Sequence, residues 1–180
     1  MRFFAAPVRN RRAAASNKRN VTILGKGGEA LDKETFVTLI ERRSDSLYRV
    51  AWAILGNNVD VADALQETAL RAWQHRGRLR NQAHFGTWVT RICINVCRSM
   101  LRHRRVLSLD EAPEATSPPP DPTLSLALRA LPEELRLPLM LQYAEGMSYQ
   151  DISRVLHLPE STVRGRIARA KQQLRKELEV

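Results

Sequence analysis

Residues 146–171, GMSYQDISRVLHLPESTVRGRIARAK, decide how the rest of the chain is read. Ser148 followed three residues later by Asp151 has the form of a capping box, which answers the unpaired backbone N–H groups of a helix's first turn. Ile152, Val155 and Leu156 then place one apolar stripe on a short helix. Pro159 interrupts the pattern, because proline suits a turn or the first turn of a helix and little else. Beyond it Val163, Ile167, Ala170, Leu174 and Leu178 recur at helical spacing and predict one buried stripe on a second helix. The opposite side carries Gly165, Ala168, Arg169, Gln172 and Lys176, with Arg164, Arg166 and Lys171 on the flanks. A helix that is apolar behind, basic at its edges and small in front suits the major groove of DNA. Its flanking bases can reach phosphates, and its small side chains allow close approach. The competing interpretation is an amphipathic bundle helix with a solvated basic face. Gly165 weighs against that, since a glycine inside an exposed helix costs about 1 kcal/mol relative to alanine.

Working outward, the distribution of charge supports a polyanionic partner more than its total of +10 does. Residues 1–30 hold seven Lys/Arg and one acid. From Arg71 to Arg105 there are nine arginines and no acid, and from Ser161 to Lys176 six bases and no acid. Between them, Val106 to Glu134 holds six acids against the single base Arg129. Two basic modules separated by an acidic connector form a pattern that a uniformly basic protein lacks.

The two cysteines, Cys93 and Cys97, fall on neighbouring turns of one helix without C-x-x-C or zinc-site spacing. They are expected to be buried thiols of a reducing, cytoplasmic protein rather than a redox pair or ligands. No metal and no cofactor is expected. No stretch approaches the roughly 20 apolar residues of a membrane span, and Met1–Leu24 lacks the continuous apolar core of a secretory signal.

Residues 1–30 are rich in Arg, Asn and Ala, lack helical periodicity and read as a basic disordered tail. Their Gly25-Lys26-Gly27-Gly28-Glu29 lacks the spacing of a phosphate-binding loop. It is also what a purine-rich ribosome-binding site would encode if translated, with Leu31 then standing at a misread start codon. Mass spectrometry of the native N-terminus decides between the two. From Asp32 the pattern turns helical. Phe36, Ile40, Leu47, Ala51 and Ile54 mark the inner side of one or two helices ending at Gly56-Asn57-Asn58. A helix over about 59–74 buries Val61, Leu65, Ala69 and Ala72 and turns Asp63, Gln66, Glu67 and Leu70 outward. Residues 75–83 read as a loop. A helix over about 84–104 is apolar along Phe85, Val89, Ile92, Cys93, Val96 and Met100, and bears Arg91, Asn95, Arg98 and Arg102 across from that stripe. Residues 106–123 carry five prolines and four acids and read as an extended, flexible linker. Helical pattern resumes at Leu124. Leu131-Pro132-Glu133-Glu134 is a helix start, and Pro138 is expected to bend that helix or delay its beginning. No segment alternates like a half-buried strand, so the fold class is all-α. The predicted organisation is a tail at 1–30, a helical domain at 31–105, a linker at 106–123 and a helix-turn-helix domain at 124–180.

These segments resemble, in order, the conserved regions of bacterial RNA polymerase sigma factors of the sigma-70 family, in the small extracytoplasmic-function (ECF) group. Asp63-Ala64-Leu65-Gln66-Glu67-Thr68 is similar to the D-x-[LIV]-Q-E segment of region 2.2. Phe85-Gly86-Thr87-Trp88-Val89-Thr90-Arg91-Ile92 to Asn95 is similar to the F-x-T-W-[LV]-x-R-I-x-x-N signature of regions 2.3 and 2.4. Leu131-Pro132-Glu133, Gly146-Met147-Ser148-Tyr149 and Ser161-Thr162-Val163-Arg164-Gly165-Arg166 resemble regions 4.1 and 4.2. The resemblance implies a two-domain initiation factor, with a region 2 bundle and a region 4 helix-turn-helix. It implies that Asp63, Gln66 and Glu67 dock on the beta-prime clamp helices of core RNA polymerase. It further implies that Leu79, Trp88, Arg91, Asn95, Arg98 and Arg102 face the promoter minus-10 element. There a base is taken out of its stack at a cost of a few kcal/mol. Leu79 stands where some relatives carry an aromatic. The minus-35 element falls to Thr162, Arg164, Gly165, Arg166, Ala168, Arg169 and Lys171. Relatives often have serine at the Gly165 position and a larger residue at Ala168, which shifts the expectation toward recognition of DNA shape. The helix around 135–143 implies a patch for the polymerase beta flap. The acidic linker, with Asp110, Glu111, Glu114 and Asp121, implies a path toward the RNA exit channel. An anti-sigma factor is a further implied partner.

Two other interpretations remain open on the sequence. A stand-alone helix-turn-helix regulator would bind duplex DNA without polymerase and need not carry the Asp63/Gln66/Glu67 stripe. A nucleic-acid-binding structural protein has no need of two distinct modules. Enzymatic chemistry is not expected, because His75, His84, His103 and His157 fall on loops or basic faces with no acid–base dyad or H-E-x-x-H spacing.

Overall fold

The computed structural model describes residues 31–106 and 122–178. The basic tail, most of the acidic linker and the last two residues lie outside them. So do the expectations placed on the tail and on Asp110, Glu111, Glu114 and Asp121, whereas Leu31 is described and is buried in the core. The described residues are all-α.

Helix α1, Lys33–Leu55, is a single helix. Asp32 caps it: its Oδ1 accepts from the Thr35 N–H at 2.9 Å, a bond that holds the Asp32 carboxyl below its usual range. The helix stops at Gly56, whose φ of 74° is left-handed and whose N–H closes back on Trp52 O. Helix α2, Asn58–Gln74, begins immediately after. The buried Asn57 serves both sides of this corner, accepting from Asp60 N at 2.8 Å and donating to Leu55 O at 3.3 Å. Two short 3-10 turns, Arg76–Arg78 and Gln82–His84, occupy the expected loop and lead into α3, Phe85–Val106. Arg104 near the end of α3 pairs with Asp60 at 2.6 Å, tying that end to the start of α2.

These helices pack as a three-helix bundle around Phe36, Leu47, Val50, Val61, Leu65, Phe85, Val89, Ile94 and Val96. Phe36 is edge-on to both Trp73 and Phe85, with ring centroids 5.2 and 6.0 Å apart. Ile94 is nearly inaccessible although it lies off the stripe inferred from sequence, whereas Ile92, Met100 and Ala69 are only half-buried. The region is enclosed from more than one side, which a one-face pattern does not anticipate. Cys93 and Cys97 are free and fully buried. The hydrogen bond that the Cys97 thiol donates to Cys93, together with burial, raises the Cys97 pKa far above its ordinary value, so it stays protonated.

The second module comprises α4 (Pro122–Ala130), α5 (Glu133–Tyr143), α6 (Tyr149–Leu156) and α7 (Glu160–Leu178). Helix α4 thus starts two residues ahead of the expected Leu124, inside the segment read as linker. Nor does Pro138 delay α5. It is the sixth residue of a helix that begins at Glu133, so it forfeits only the bond its N–H would have made to Glu134 O. Arg136 joins α5 to α4 by donating to Arg129 O at 3.0 Å and Leu131 O at 3.4 Å. Its burial lowers the guanidinium pKa.

Ser148 caps α6 as expected, accepting from Asp151 N at 3.1 Å. The turn to α7 runs through His157, which holds a left-handed conformation at φ 55°. Two bonds lock it: Leu158 N to Ser153 O at 3.1 Å, and Ser153 Oγ to Leu158 O at 2.5 Å. Leu137, Leu141, Ile152, Val163, Ile167 and Ala170 form the core of this module. Leu174 is half-buried and Leu178 is 46% exposed. The apolar stripe of α7 therefore outlasts the module it packs on, and Leu178 is not part of the buried stripe.

The two modules pack against each other. Helix α5 lies along α1 and α6 along α3, and the buried residues of both modules form one contiguous apolar cluster. The Glu145 side chain, just past α5, is 3% exposed beneath α1, where it accepts from Ser46 Oγ and, at 2.8 Å, from Arg49 Nε.

Candidate nucleic-acid interface

Three polar faces stand on this frame. On α2, the buried side of Val61, Ala64, Leu65 and Thr68 fixes the helix's rotation, so Asp63 and Gln66 face outward. Glu67 is 40% exposed and accepts from Arg71 Nε at 2.6 Å one turn on. Leu70, 51% exposed, extends the stripe with an apolar residue that has no role in the core. A face that mixes carboxylates, an amide and one bare leucine suits a protein partner better than a nucleic acid.

On α3, burial of Val89, Cys93, Val96 and Cys97 turns Arg91, Asn95 and Arg102 into solvent. Arg98 shares that face but is engaged, pairing with Glu133 of the second module at 3.0 Å. Trp88 is half-buried, its ring 5.8 Å from Phe85. It lines a cleft of about 380 Å3 between the modules, with His84, Thr87 and Arg91 on its own side and Asp151, Arg154 and Val155 opposite. Leu79, ahead of α3, is half-buried against the core and so presents only part of its side chain. The loop before α3 brings two further exposed bases, Arg78 and Arg80, to this end of the helix. Arg76 is different: its guanidinium lies 3.7 Å over the Trp73 ring and serves the fold.

On α7, Arg164, Ala168 and Arg169 are exposed, with Gly165 and Thr162 half-buried among them. Arg164 sits 4.8 Å over the Tyr149 ring, and Arg169 Nε reaches Gly165 O at 3.4 Å. Lys171 rests over Tyr143 at 4.6 Å. Arg166 is only 23% exposed and leans toward Glu134 at 3.5 Å, so much of its charge is answered within the module. Nothing lies within 4 Å of where a Cβ on Gly165 would stand. Packing therefore does not require the glycine.

Sequence reasoning located all three faces but missed the Glu133 that meets the α3 face and the Glu145 that ties the second module to α1. Glu133 and Glu145 lie 35 and 96 residues from Arg98 and Arg49, separations at which no periodicity speaks. No described group of three or more His, Cys, Asp or Glu residues is placed to hold a metal, and no described helix is long and apolar enough to cross a membrane.

Comparison with known proteins converges on one family. Residues 39–106 match the model for sigma-70 region 2, and residues 123–174 the model for sigma-70, region 4. The chain is 33% identical over 152 residues to the ECF RNA polymerase sigma factor SigM of Mycobacterium tuberculosis, spanning 79% of this chain and 76% of that one. It is 33% identical over 152 residues to the ECF RNA polymerase sigma factor SigE of Mycolicibacterium smegmatis, covering 76% of this chain but 59% of that longer protein. In fold it resembles the sigma factor RpoE from Bartonella quintana, solved in complex with the anti-sigma factor NepR, at TM-score 0.71 and 21% identity over 81% of this chain and 97% of that one. With both regions present in order and both basic faces on the modules that match them, the chain belongs to the sigma-70 family, in its extracytoplasmic-function group.

Proposed function

We propose that this sigma factor docks on core RNA polymerase through Asp63, Gln66 and Glu67, with Leu70 completing the patch. The observation that carries this reading is the coexistence of the α2 stripe with two separate basic faces on two modules. A duplex-binding regulator has use for only one of those faces. In this reading Arg91, Asn95, Arg98 and Arg102 grip the melted minus-10 strand beside Leu79 and Trp88. The half-buried indole of Trp88 keeps an edge available for stacking, worth roughly 1–3 kcal/mol per base. Helix α7 enters the major groove at the minus-35 element. Arg164, Gly165, Ala168 and Arg169 face bases there, and Thr162, Arg166 and Lys171 serve as phosphate contacts. Arg166 is the weakest of these, since Glu134 competes for it. Tyr143, 59% exposed at the end of α5, is the residue of that helix best available to the polymerase beta flap. The domain division at 31–105 and 124–180 becomes a functional one, except that the second module takes in α4 from Pro122. The resemblance to a sigma factor solved with its anti-sigma factor supports the same class of protein as a regulator here. The site of action of such a factor is the cytoplasm, at the nucleoid during initiation, and its role is initiation rather than catalysis.

Run-off transcription with purified core polymerase tests the reading. The expected result is initiation from a defined subset of a promoter library, absent without this protein. Binding of duplex DNA unaided, with no promoter-specific transcript, would establish the stand-alone regulator instead.

A further inference from the structure

Among the arginines of α1, Arg43 reaches the start of α3, where no described group receives its charge. It is half-buried, and its guanidinium lies across Gly86, the second residue of α3. A Cβ on Gly86 would collide with Nη2 of Arg43, and would stand 2.5 Å from its Cζ and 2.9 Å from its Nε. Gly86 is buried and its backbone is not left-handed, so its missing side chain serves space rather than conformation. The glycine makes the seat in which the guanidinium lies.

The donors of that guanidinium are unanswered. Arg43 makes no hydrogen bond or ion pair among the described residues, whereas Arg49 on the same helix is paired with Glu145. Glu41 and Asp45 stand two positions away in the sequence and so point to other sides of α1. A charge drawn partly out of water without a partner is unfavourable in the free fold. The surroundings add to this. The first turn of α3 is the positive end of that helix, and the turn ahead of it carries the exposed Arg78 and Arg80. No acid lies between Arg71 and Arg105 to offset them.

We propose that Arg43 is a further strand-binding residue, contributed by α1. Its guanidinium holds a phosphate of the single-stranded minus-10 DNA, and Gly86 is a positioning residue that leaves room for it. A planar fork of donors suits a phosphate in two-point contact. A seat made by packing also leaves the side chain less freedom to lose on binding. The strand contact rests on the minus-10 reading of α3, whereas the seating of Arg43 by Gly86 rests on geometry alone.

The test uses holoenzyme assembled from the full chain and core polymerase. A labelled promoter, recovered from the run-off library, is prepared as a fork with its minus-10 strand already single. Fluorescence anisotropy reads its affinity across a potassium chloride series. Arg43→Met keeps most of the side chain's bulk and removes its charge. It is expected to weaken binding about tenfold and to lower the slope of log affinity against log salt by about 0.7, the share of one single-strand phosphate. Gly86→Ala fills the seat. The displaced atoms are the far end of a flexible side chain, so the guanidinium moves and the backbone stays. This variant should lose affinity in the same sense while its helicity and melting hold or improve. Added to Arg43→Met, it should do nothing more. A further loss in that background overturns the positioning role of the glycine. Parental affinity and slope in Arg43→Met overturn the strand contact, and so does a loss traced to weaker binding of core polymerase. If Arg43→Met loses helicity by circular dichroism, Gly86→Ala decides by the same readouts. Arg91→Met separates this inference from the reading beneath it. If it weakens fork binding and Arg43→Met does not, Arg43 alone leaves the surface; if neither does, the minus-10 assignment of α3 falls as well.

Discussion

Gly165 is where the residue scale says most. Helical glycine is costly because the unfolded chain gains freedom and the helix loses a side chain. Such a residue usually has a packing reason, and here there is none: the space around a hypothetical Cβ is open. Gly165→Ala is therefore expected to stabilise the second module by about 0.5–1 kcal/mol in chemical denaturation. The same variant should change minus-35 preference in transcription from a promoter library. A stability gain with identical preference would show that the position does not face DNA. The glycine was legible in the sequence, and so was its awkwardness, but only the empty surroundings separate a packing role from a recognition role. His157 is the opposite case. Its left-handed conformation ends α6 where glycine or asparagine is usual, and nothing in its residue type announced that.

At the scale of elements, most of the helices follow from periodicity and punctuation. Ser148 accepts the expected first-turn N–H, Asp32 and Asn57 cap α1 and α2 in the same way, and Gly56 ends α1. The errors fall where one local signal had to be weighed against another. Prolines at 118–122 suggested linker as far as Thr123, yet α4 begins at Pro122, a residue well suited to a helix's first turn. Pro138 suggested a bend or a delayed start; α5 begins at Glu133 without delay, and the proline lies early enough to cost little hydrogen bonding. On α2 the outward stripe leads to a direct test. Gln66→Lys with Glu67→Lys reverses the face without touching the core. It should abolish binding to core polymerase while circular dichroism and melting stay near the parent's, since exposed substitutions usually change stability by under about 0.5 kcal/mol. Loss of Glu67 also removes its bond to Arg71, but an exposed pair of that kind contributes little. Unimpaired polymerase binding would remove α2 from the docking surface.

For the whole molecule, the contiguous core and the Glu145 anchor make the modules one cooperative unit. The parent chain is expected to melt in a single calorimetric transition. Glu133→Gln/Glu145→Gln should separate it into two, one for each module. A single transition in both proteins would mean that the apolar contact alone couples them. Sequence by itself determined the two modules, their helices, and which face of each helix is outward and of which sign. These depend on residues within a turn or two of each other, and the patterns of apolar, capping and charged positions record them directly. Tertiary structure alone decided what those faces meet. Arg98 looks free in the sequence and is held by Glu133. Glu145 looks like an ordinary charged residue after a helix and is the buried tie between modules. Such pairings join residues far apart along the chain and depend on how two finished modules dock, a geometry that no local spacing encodes.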